Sequence, residues 1–429
     1  MKTNLTLLLL VALLTGCRQQ PETTTADLLE PAPAETQGMS EDRLGRIDSM
    51  LRQAVANEEI PGAVALIARN GKVVMHTAYG LADTPAGVAF EEDDIFRIAS
   101  QTKAITATAV MMLWEEGRFQ LDDAISDYIP AFAETGIMET FNEADSSFTT
   151  SALEAPITIR HLLTHTSGIG YGMIDGDPRF RKAFAKAGII DAFTSDPVTL
   201  ADNIPKLARM PLHHKPGEGW TYSEGLDVLG YLVEIVSGMP YDQFLKTRIF
   251  DPLGMADTWF YLPEDRADRL VPVQYWEDGA WRPFSTEAFE INYPITGAQT
   301  YFAGGAGLSS TAMDYARFLQ MYLNQGEYNG QRLLSRTTVE IMMANQIGDL
   351  WAGGPKDYGL AFGVVNTDGI AHGGEGGPGT FDWGGYFNTQ YFADPGEQLI
   401  GILMKQTQAA GSDETGWKFR QMVFAAIAD

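Results

Sequence analysis

Residues 96–117 read FRIASQTKAITATAVMMLWEEG, a polar opening that gives way to an apolar run broken by charge only at its end. The apolar positions Ile105, Val110, Met111 and Trp114, with Gly117 available as a stop, predict a helix from Ala99 to Trp114. Ser100 then falls at the helix start, where a serine hydroxyl commonly caps unpaired backbone N–H groups. Lys103 lies three residues on, which puts its amine on the same helical face. A neutral serine is a poor nucleophile, and a nearby amine can take its proton. The helix N-terminus adds N–H groups and a positive dipole suited to an oxyanion. Ser-x-x-Lys alone is compatible with a plain helix cap or with the start of a reaction, so the rest of the chain decides.

Two further stretches bear on it. PGEGWTYSEGLDVLGYLVEIVSG, residues 216–238, sets Tyr222 just before a second apolar-faced helix carrying Leu226, Leu229, Val233 and Val236. A phenol near Lys103 can relay a proton between Ser100 and a leaving group; alone, it reads equally as a buried, satisfied tyrosine. FDWGGYFNTQYF, residues 381–392, places glycines before a strand, where a substrate can approach the backbone or the chain can simply bend.

Outward from these, the ends of the chain are strand-rich. GAVALIARNGKVVMHTAYG, residues 62–80, is two β-rich runs about Asn70-Gly71, a strong hairpin signal. Near the other end, Asp394-Pro395-Gly396 separates two more strands, and GWKFRQMVFAAIAD closes the chain as a helix. Leu44, Ile47, Leu51 and Val55 give residues 40–56 a helical period. The long middle is mostly helical in period. We therefore expect an α/β part from about 39–98 and 298–429, with a helical part inserted at about 99–297.

Taken in order, Ser100-Gln101-Thr102-Lys103, Tyr222-Ser223-Glu224 and Trp383-Gly384-Gly385 resemble the three motifs of the class C β-lactamase superfamily, which includes DD-peptidases and family VIII carboxylesterases. HLLTHTSGI, IFDPLGM and GGAGLSSTAMDYARFLQMYLNQGEYNGQRLLS also look like that superfamily, and the likeness runs from about Met39 to the C-terminus. The resemblance implies an α+β fold of β-lactamase/transpeptidase type, an antiparallel sheet flanked by helices with an inserted helical domain and a cleft between. It assigns Ser100 as nucleophile, Lys103 and Tyr222 as general-base partners, and the N–H groups of Ser100 and Tyr386 as an oxyanion hole. No cofactor or metal is implied.

The motifs depart from the β-lactamase pattern in ways that matter chemically. Glu224 stands where β-lactamases have asparagine; facing the cleft, it would stabilise charged Lys103 and weaken it as a base, leaving more of the proton transfer to Tyr222. Trp383 replaces the lysine that would attract a substrate carboxylate, so with Glu224, Gly384 and Gly385 it is expected to bind neutral, apolar acyl groups, as the W-G-G of family VIII esterases does. Asn388 stands where many relatives have glycine. The expected activity is ester cleavage through an acyl-enzyme, with at most slow β-lactam hydrolysis. A penicillin-binding DD-peptidase or a β-lactamase is the alternative in the same class, and a non-catalytic binder of cell-wall fragments the alternative outside it.

A chain of 429 residues with 45% hydrophobic content can bury a large core. Its formal charge of −26 argues against nucleic acid as a partner. There is no G-x-S-x-G elbow and no H-E-x-x-H; His161/His165 and the adjacent His213/His214 are not expected to hold a metal. Residues 1–16 have the charged, apolar and small-residue regions of a signal peptide, ending at Cys17, the only cysteine. This looks like a bacterial lipobox: Cys17 is expected to be lipidated, residues 17–38 to form a flexible tether, and the protein to be an outer-membrane lipoprotein facing the periplasm. A small-molecule ester, amide or β-lactam is the expected substrate.

Overall fold

The two-residue turn at Asn70-Gly71 takes φ of 53° and 72°, the left-handed pair that a tight hairpin needs. It joins the strands that anchor the molecule in a computed structural model, which describes residues 28–373, 376–408 and 413–429. The signal peptide and Cys17 lie outside the described residues. In chain order, the elements that position the site are α1 (Glu41–Ala56), β1 (Gly62–Arg69), β2 (Lys72–Asp83), α2 (Thr102–Glu115), α3 (Gly225–Ser237), α4 (Ala312–Leu323), β3 (Phe381–Gly385), β4 (Thr389–Asp394), β5 (Leu399–Met404) and α5 (Thr415–Ala425).

The two ends of the chain meet in one nine-stranded sheet, where β5 lies antiparallel beside β1 with Leu399 opposite Arg69 and Met404 opposite Val64. β5, β4 and β3 follow one another outward as an antiparallel meander. Because side chains alternate across a strand, Ala63, Ala65 and Ile67 face a cluster with Ile47, Leu51, Phe419 and Val423 of α1 and α5, whereas Val64, Leu66 and Ala68 join the large core on the other side. Each fully buried Leu or Ile there is worth about 1.5–3 kcal/mol.

On that second side runs α2, whose residues from Thr102 to Leu113 are all buried. The run TKAITATAVMML has no polar face, which is the pattern of a helix surrounded by protein. Its threonines are satisfied locally: Thr106 Oγ1 donates to the Gly304 carbonyl at 2.6 Å and Thr108 Oγ1 to the Ala104 carbonyl at 2.8 Å.

Three features differ from the sequence-based expectations. Residues 28–38 are not tether: Leu29 is buried, Glu30–Pro31 pairs in parallel with Lys72–Val73, and Ala34–Gln37 forms a 3-10 turn. Two leucines and scattered prolines showed no period there, yet one buried leucine and two ladder residues suffice to dock the segment, and they add a parallel edge to the otherwise antiparallel sheet. The inserted part also contains strands. Gln274–Glu277 and Ala280–Pro283 form a hairpin about Asp278-Gly279, and Thr407–Gln408 pairs with the first of them. Finally, a second hairpin, Gly136–Asn142 with Ser147–Ala152, interrupts the helices. Among the described residues no helix is long and apolar enough to cross a membrane.

Candidate active site

Ser100 does not cap α2. It sits in a 3-10 turn, Ala99–Gln101, and the helix proper starts at Thr102 with no side-chain cap. The turn is held from both sides: Phe96–Arg97 pairs with Ser309–Ser310, and Ala99, buried against Val273 and Phe387, takes φ of 43°. A non-glycine residue in the left-handed region costs about 1–2 kcal/mol and persists only where packing imposes it.

One helical turn on, Lys103 is 1% exposed. Its ammonium reaches the Gly305 carbonyl at 2.8 Å, the Ser100 hydroxyl at 3.4 Å and the Tyr171 hydroxyl at 3.4 Å. It also lies 4.5 Å above the centre of the Tyr222 ring. Lysine and serine are therefore brought together, while the contact with Tyr222 is to the ring face and not to the hydroxyl. That hydroxyl accepts from Trp383 Nε1 at 3.5 Å. The Tyr222 ring is wedged among His165, Tyr171 and Trp383, with ring centres 4.7, 5.6 and 5.9 Å away.

The third motif follows from what β3 must approach. A Cβ on Gly385 would stand 2.4 Å from the Ile98 carbonyl and 2.3 Å from Thr389 Oγ1, so only glycine lets this strand lie against the base of the Ser100 turn. Tyr386 follows at the strand end. Among the described residues, neither the Ser100 nor the Tyr386 backbone N–H donates to a protein acceptor. Asn388 takes the left-handed conformation, φ 68°, that a glycine would otherwise supply. Its amide donates to Thr407 Oγ1 and to Asp413 Oδ2, each at 2.8 Å, and Asp413 in turn pairs with buried Lys405.

Glu224 is not in the cleft. It is fully buried, its Oε1 accepts the Gly172 N–H at 3.2 Å, and it shares a hydrogen bond with Asp191. Burial, then the charges of Asp191 and Asp227, push its carboxyl well above the usual range, and its bond to Gly172 ties the start of α3 to the 171–173 segment. The expectation that it binds substrate or faces Lys103 is thus corrected: the side chain is fully buried and its Oε1 is taken by Gly172, while it does not line the cleft beside Ser100. The acid near Lys103 is Asp227, also fully buried, which burial raises to about 7 against the opposing pull of the lysine charge. Neither Asp227 nor Tyr171 was singled out from sequence. For Asp227 a signal existed, an acid inside the apolar run GLDVLGYLV; Tyr171 carried none.

The histidines separate into structural roles. His161 Nδ1 accepts the Thr158 N–H at a helix start, and the His165 ring bonds Ser223 at 2.9 Å. His213 pairs with Asp175 and His214 bonds Thr221.

Ser100, Tyr171, Tyr222 and Tyr386 line a cleft of about 1060 Å³. Its walls are largely apolar, with Phe184, Ile189, Ile190, Phe193 and Phe289, and Asp191 and Arg181 are among its charged groups. Such a space admits a bulky neutral molecule beside the serine.

Comparison with known proteins bears on the fold and the family. The family model described as Beta-lactamase matches residues 47–423. The chain is 33% identical over 366 residues to Protein Rv1367c of Mycobacterium tuberculosis, covering 81% of this chain and 86% of that one. It is also 33% identical over 384 residues to Esterase EstB of Burkholderia gladioli, covering 85% and 91%. Among solved structures, EstCE1, described as a hydrolase with promiscuous acyltransferase activity, superposes with a TM-score of 0.75 at 25% identity, over 91% of this chain and 99% of that one.

Proposed function

The chain belongs to the Beta-lactamase family of serine hydrolases, and on that premise we propose that it is a carboxylesterase acting through an acyl-enzyme on Ser100. The Ser100 oxygen attacks the ester carbonyl while its proton passes to the Lys103–Tyr222 pair. The two free N–H groups, of Ser100 and Tyr386, receive the oxyanion. The proton then goes to the departing alcohol, and water attacks the acyl-enzyme by the same route to release the acid.

The observation that carries the ester reading is Trp383. Its indole packs 5.9 Å from Tyr222 at the place where the β-lactamase pattern has a lysine. The indole itself offers a substrate carboxylate no charge, whereas an apolar acyl group can pack on such a face; Trp383 lines a neighbouring pocket with Lys356 and Asp382, and Arg181 is a cation lining the cleft beside Ser100. The name of EstB and the apolar cleft walls support the same reading.

The test uses soluble protein beginning after Cys17, wild type and Ser100→Ala, with p-nitrophenyl butyrate and nitrocefin. Rapid ester turnover, slow nitrocefin turnover and loss of both in the variant are expected. Nitrocefin turned over faster than the ester transfers the reading to a β-lactamase, and a wild type inert to both removes it.

For the address, the pattern of residues 1–17 supports lipidation at Cys17 and an outer-membrane, periplasm-facing lipoprotein. Labelled palmitate incorporated by the wild type and lost in Cys17→Ser is the expected result; equal label in both overturns it.

A further inference from the structure

Lys103 faces an acid that the proposed chemistry does not use. Asp227 lies in the first turn of α3, and its Oδ1 accepts the Gly305 N–H at 3.3 Å. The carbonyl of the same glycine accepts the Lys103 ammonium at 2.8 Å. Asp227 Oδ2 is buried with no hydrogen-bond partner. A Cβ on Gly305 would meet Asp227 Oδ2 at 2.4 Å and Lys103 Nζ at 3.5 Å. The carboxyl and ammonium therefore face one another across a bare Cα, within about 6 Å, the range over which opposite charges favour each other's ionised form.

We propose that Asp227 is a positioning residue whose buried carboxyl, across Gly305 from the lysine, aims Lys103 at Ser100 and thereby sets the acid limb of Ser100 acylation. The proposal rests on the reading of Ser100 as nucleophile. Other titratable groups around the pair are consistent with it. Glu224 and Asp191, each with its carboxyl raised first by burial, lie toward the 171–173 segment, where they accept the Gly172 and Met173 N–H groups. Tyr171 and Tyr222 meet Lys103 by hydroxyl and ring face, and Tyr241 and Tyr301 are buried phenols held un-ionised first by burial and then by the Asp227 charge, apart from a Thr106 hydrogen bond that opposes it at Tyr241. Burial and then the Lys103 charge push His165 well below the usual imidazole range. Asp227 is the acid that meets Lys103 across Gly305.

Removing a negative charge beside the proton acceptor makes deprotonation of the Lys103–Tyr222 pair easier, whichever member takes the serine proton. In Asp227→Asn, whose amide oxygen still accepts from Gly305, the acid limb must move to lower pH. The experiment measures labelling of Ser100 by a fluorophosphonate probe across pH, in wild type, Asp227→Asn and Glu224→Gln. The expected shift in Asp227→Asn is about one pH unit, roughly tenfold faster labelling on the acid side, with the limb of Glu224→Gln in place. An unmoved or raised limb in Asp227→Asn, or an equal shift in Glu224→Gln, overturns the proposal. Should Asp227→Asn fail to fold, the Cε carbon resonance of Lys103 in ¹³C-labelled wild type decides: a resonance that steps as Asp227 titrates near pH 7 upholds the proposal, and one unmoved between pH 5 and pH 9 overturns it. Labelling needs no ester, so a wild type that labels but leaves p-nitrophenyl butyrate intact fails the ester reading alone.

Discussion

Asn388 links catalytic geometry to stability, and its replacement by alanine and by glycine separates the contributions. Its amide makes two hydrogen bonds, one to the carboxylate of Asp413 and one to the Thr407 hydroxyl. Losing a bond to a charged group costs about 1.5–3 kcal/mol and losing a neutral one about 1 kcal/mol. Both variants lose these. Alanine is further penalised by the left-handed conformation, φ 68°, by about 1 kcal/mol more than glycine. The totals are about 3 kcal/mol for Asn388→Gly and about 4 kcal/mol for Asn388→Ala. With an unfolding entropy of about 2 cal/mol/K per residue, each kcal/mol lowers the melting midpoint of a chain this long by about 1 °C. Scanning calorimetry should therefore show drops of about 3 and 4 °C, glycine the milder. The turn also carries the Tyr386 N–H, and loss of an oxyanion donor costs up to about 10²–10³ in kcat; at least a tenfold fall in p-nitrophenyl butyrate kcat is expected for alanine. An alanine variant as stable as the glycine one, or with unaltered kcat, refutes the reasoning.

Trp383→Lys restores a cation beside Tyr222 and removes an apolar face, so ester kcat/KM should fall about tenfold and penicillin acylation rise by a similar factor; a fall in both would mean the indole is needed only for packing. The pH dependence of stability has a definite sign. Burial above all pushes Asp94 and Asp314 to about 6 and Asp227 to about 7, so each binds its proton more tightly folded than unfolded. Their stabilising contribution is complete below the unfolded range near 4 and is lost as pH rises through 6 and 7. The melting midpoint should fall from pH 5 to pH 8, and Glu224→Gln should flatten that fall; a midpoint that rises over this range contradicts it.

Much of the fold was legible because its signals are local. The Asn70-Gly71 and Asp394-Pro395-Gly396 turns marked two strand pairs, and the periods of α1 and α2 marked their helices. What stayed hidden depended on partners far along the chain. Glu30–Pro31 forms a strand only because Lys72–Val73 offers an edge, and Thr407–Gln408 only because Gln274 and Tyr275 come alongside. Asp278-Gly279 carries the same turn chemistry as Asn70-Gly71, but its hairpin sits in a stretch of mostly helical period that masks it.

The site divides along a different line. Ser100 and Lys103 are three residues apart on one turn, so their contact followed from helix geometry alone. The acid that acts on Lys103 did not. Glu224 and Asp227 are also three residues apart at one helix start, and the motif pattern points to Glu224, the wrong one of the two. Their chain lengths and neighbours part them: the longer glutamate reaches Gly172 and Asp191, while the shorter aspartate stops at Gly305. Packing then fixes protonation, since a carboxyl beside another carboxyl keeps its proton and one within reach of an ammonium can give it up. A motif such as Y-x-E names a position, but the charge at that position belongs to the packing around it. Replacing Glu224 by asparagine, to match β-lactamases, should accordingly leave the acid limb of Ser100 labelling where it is.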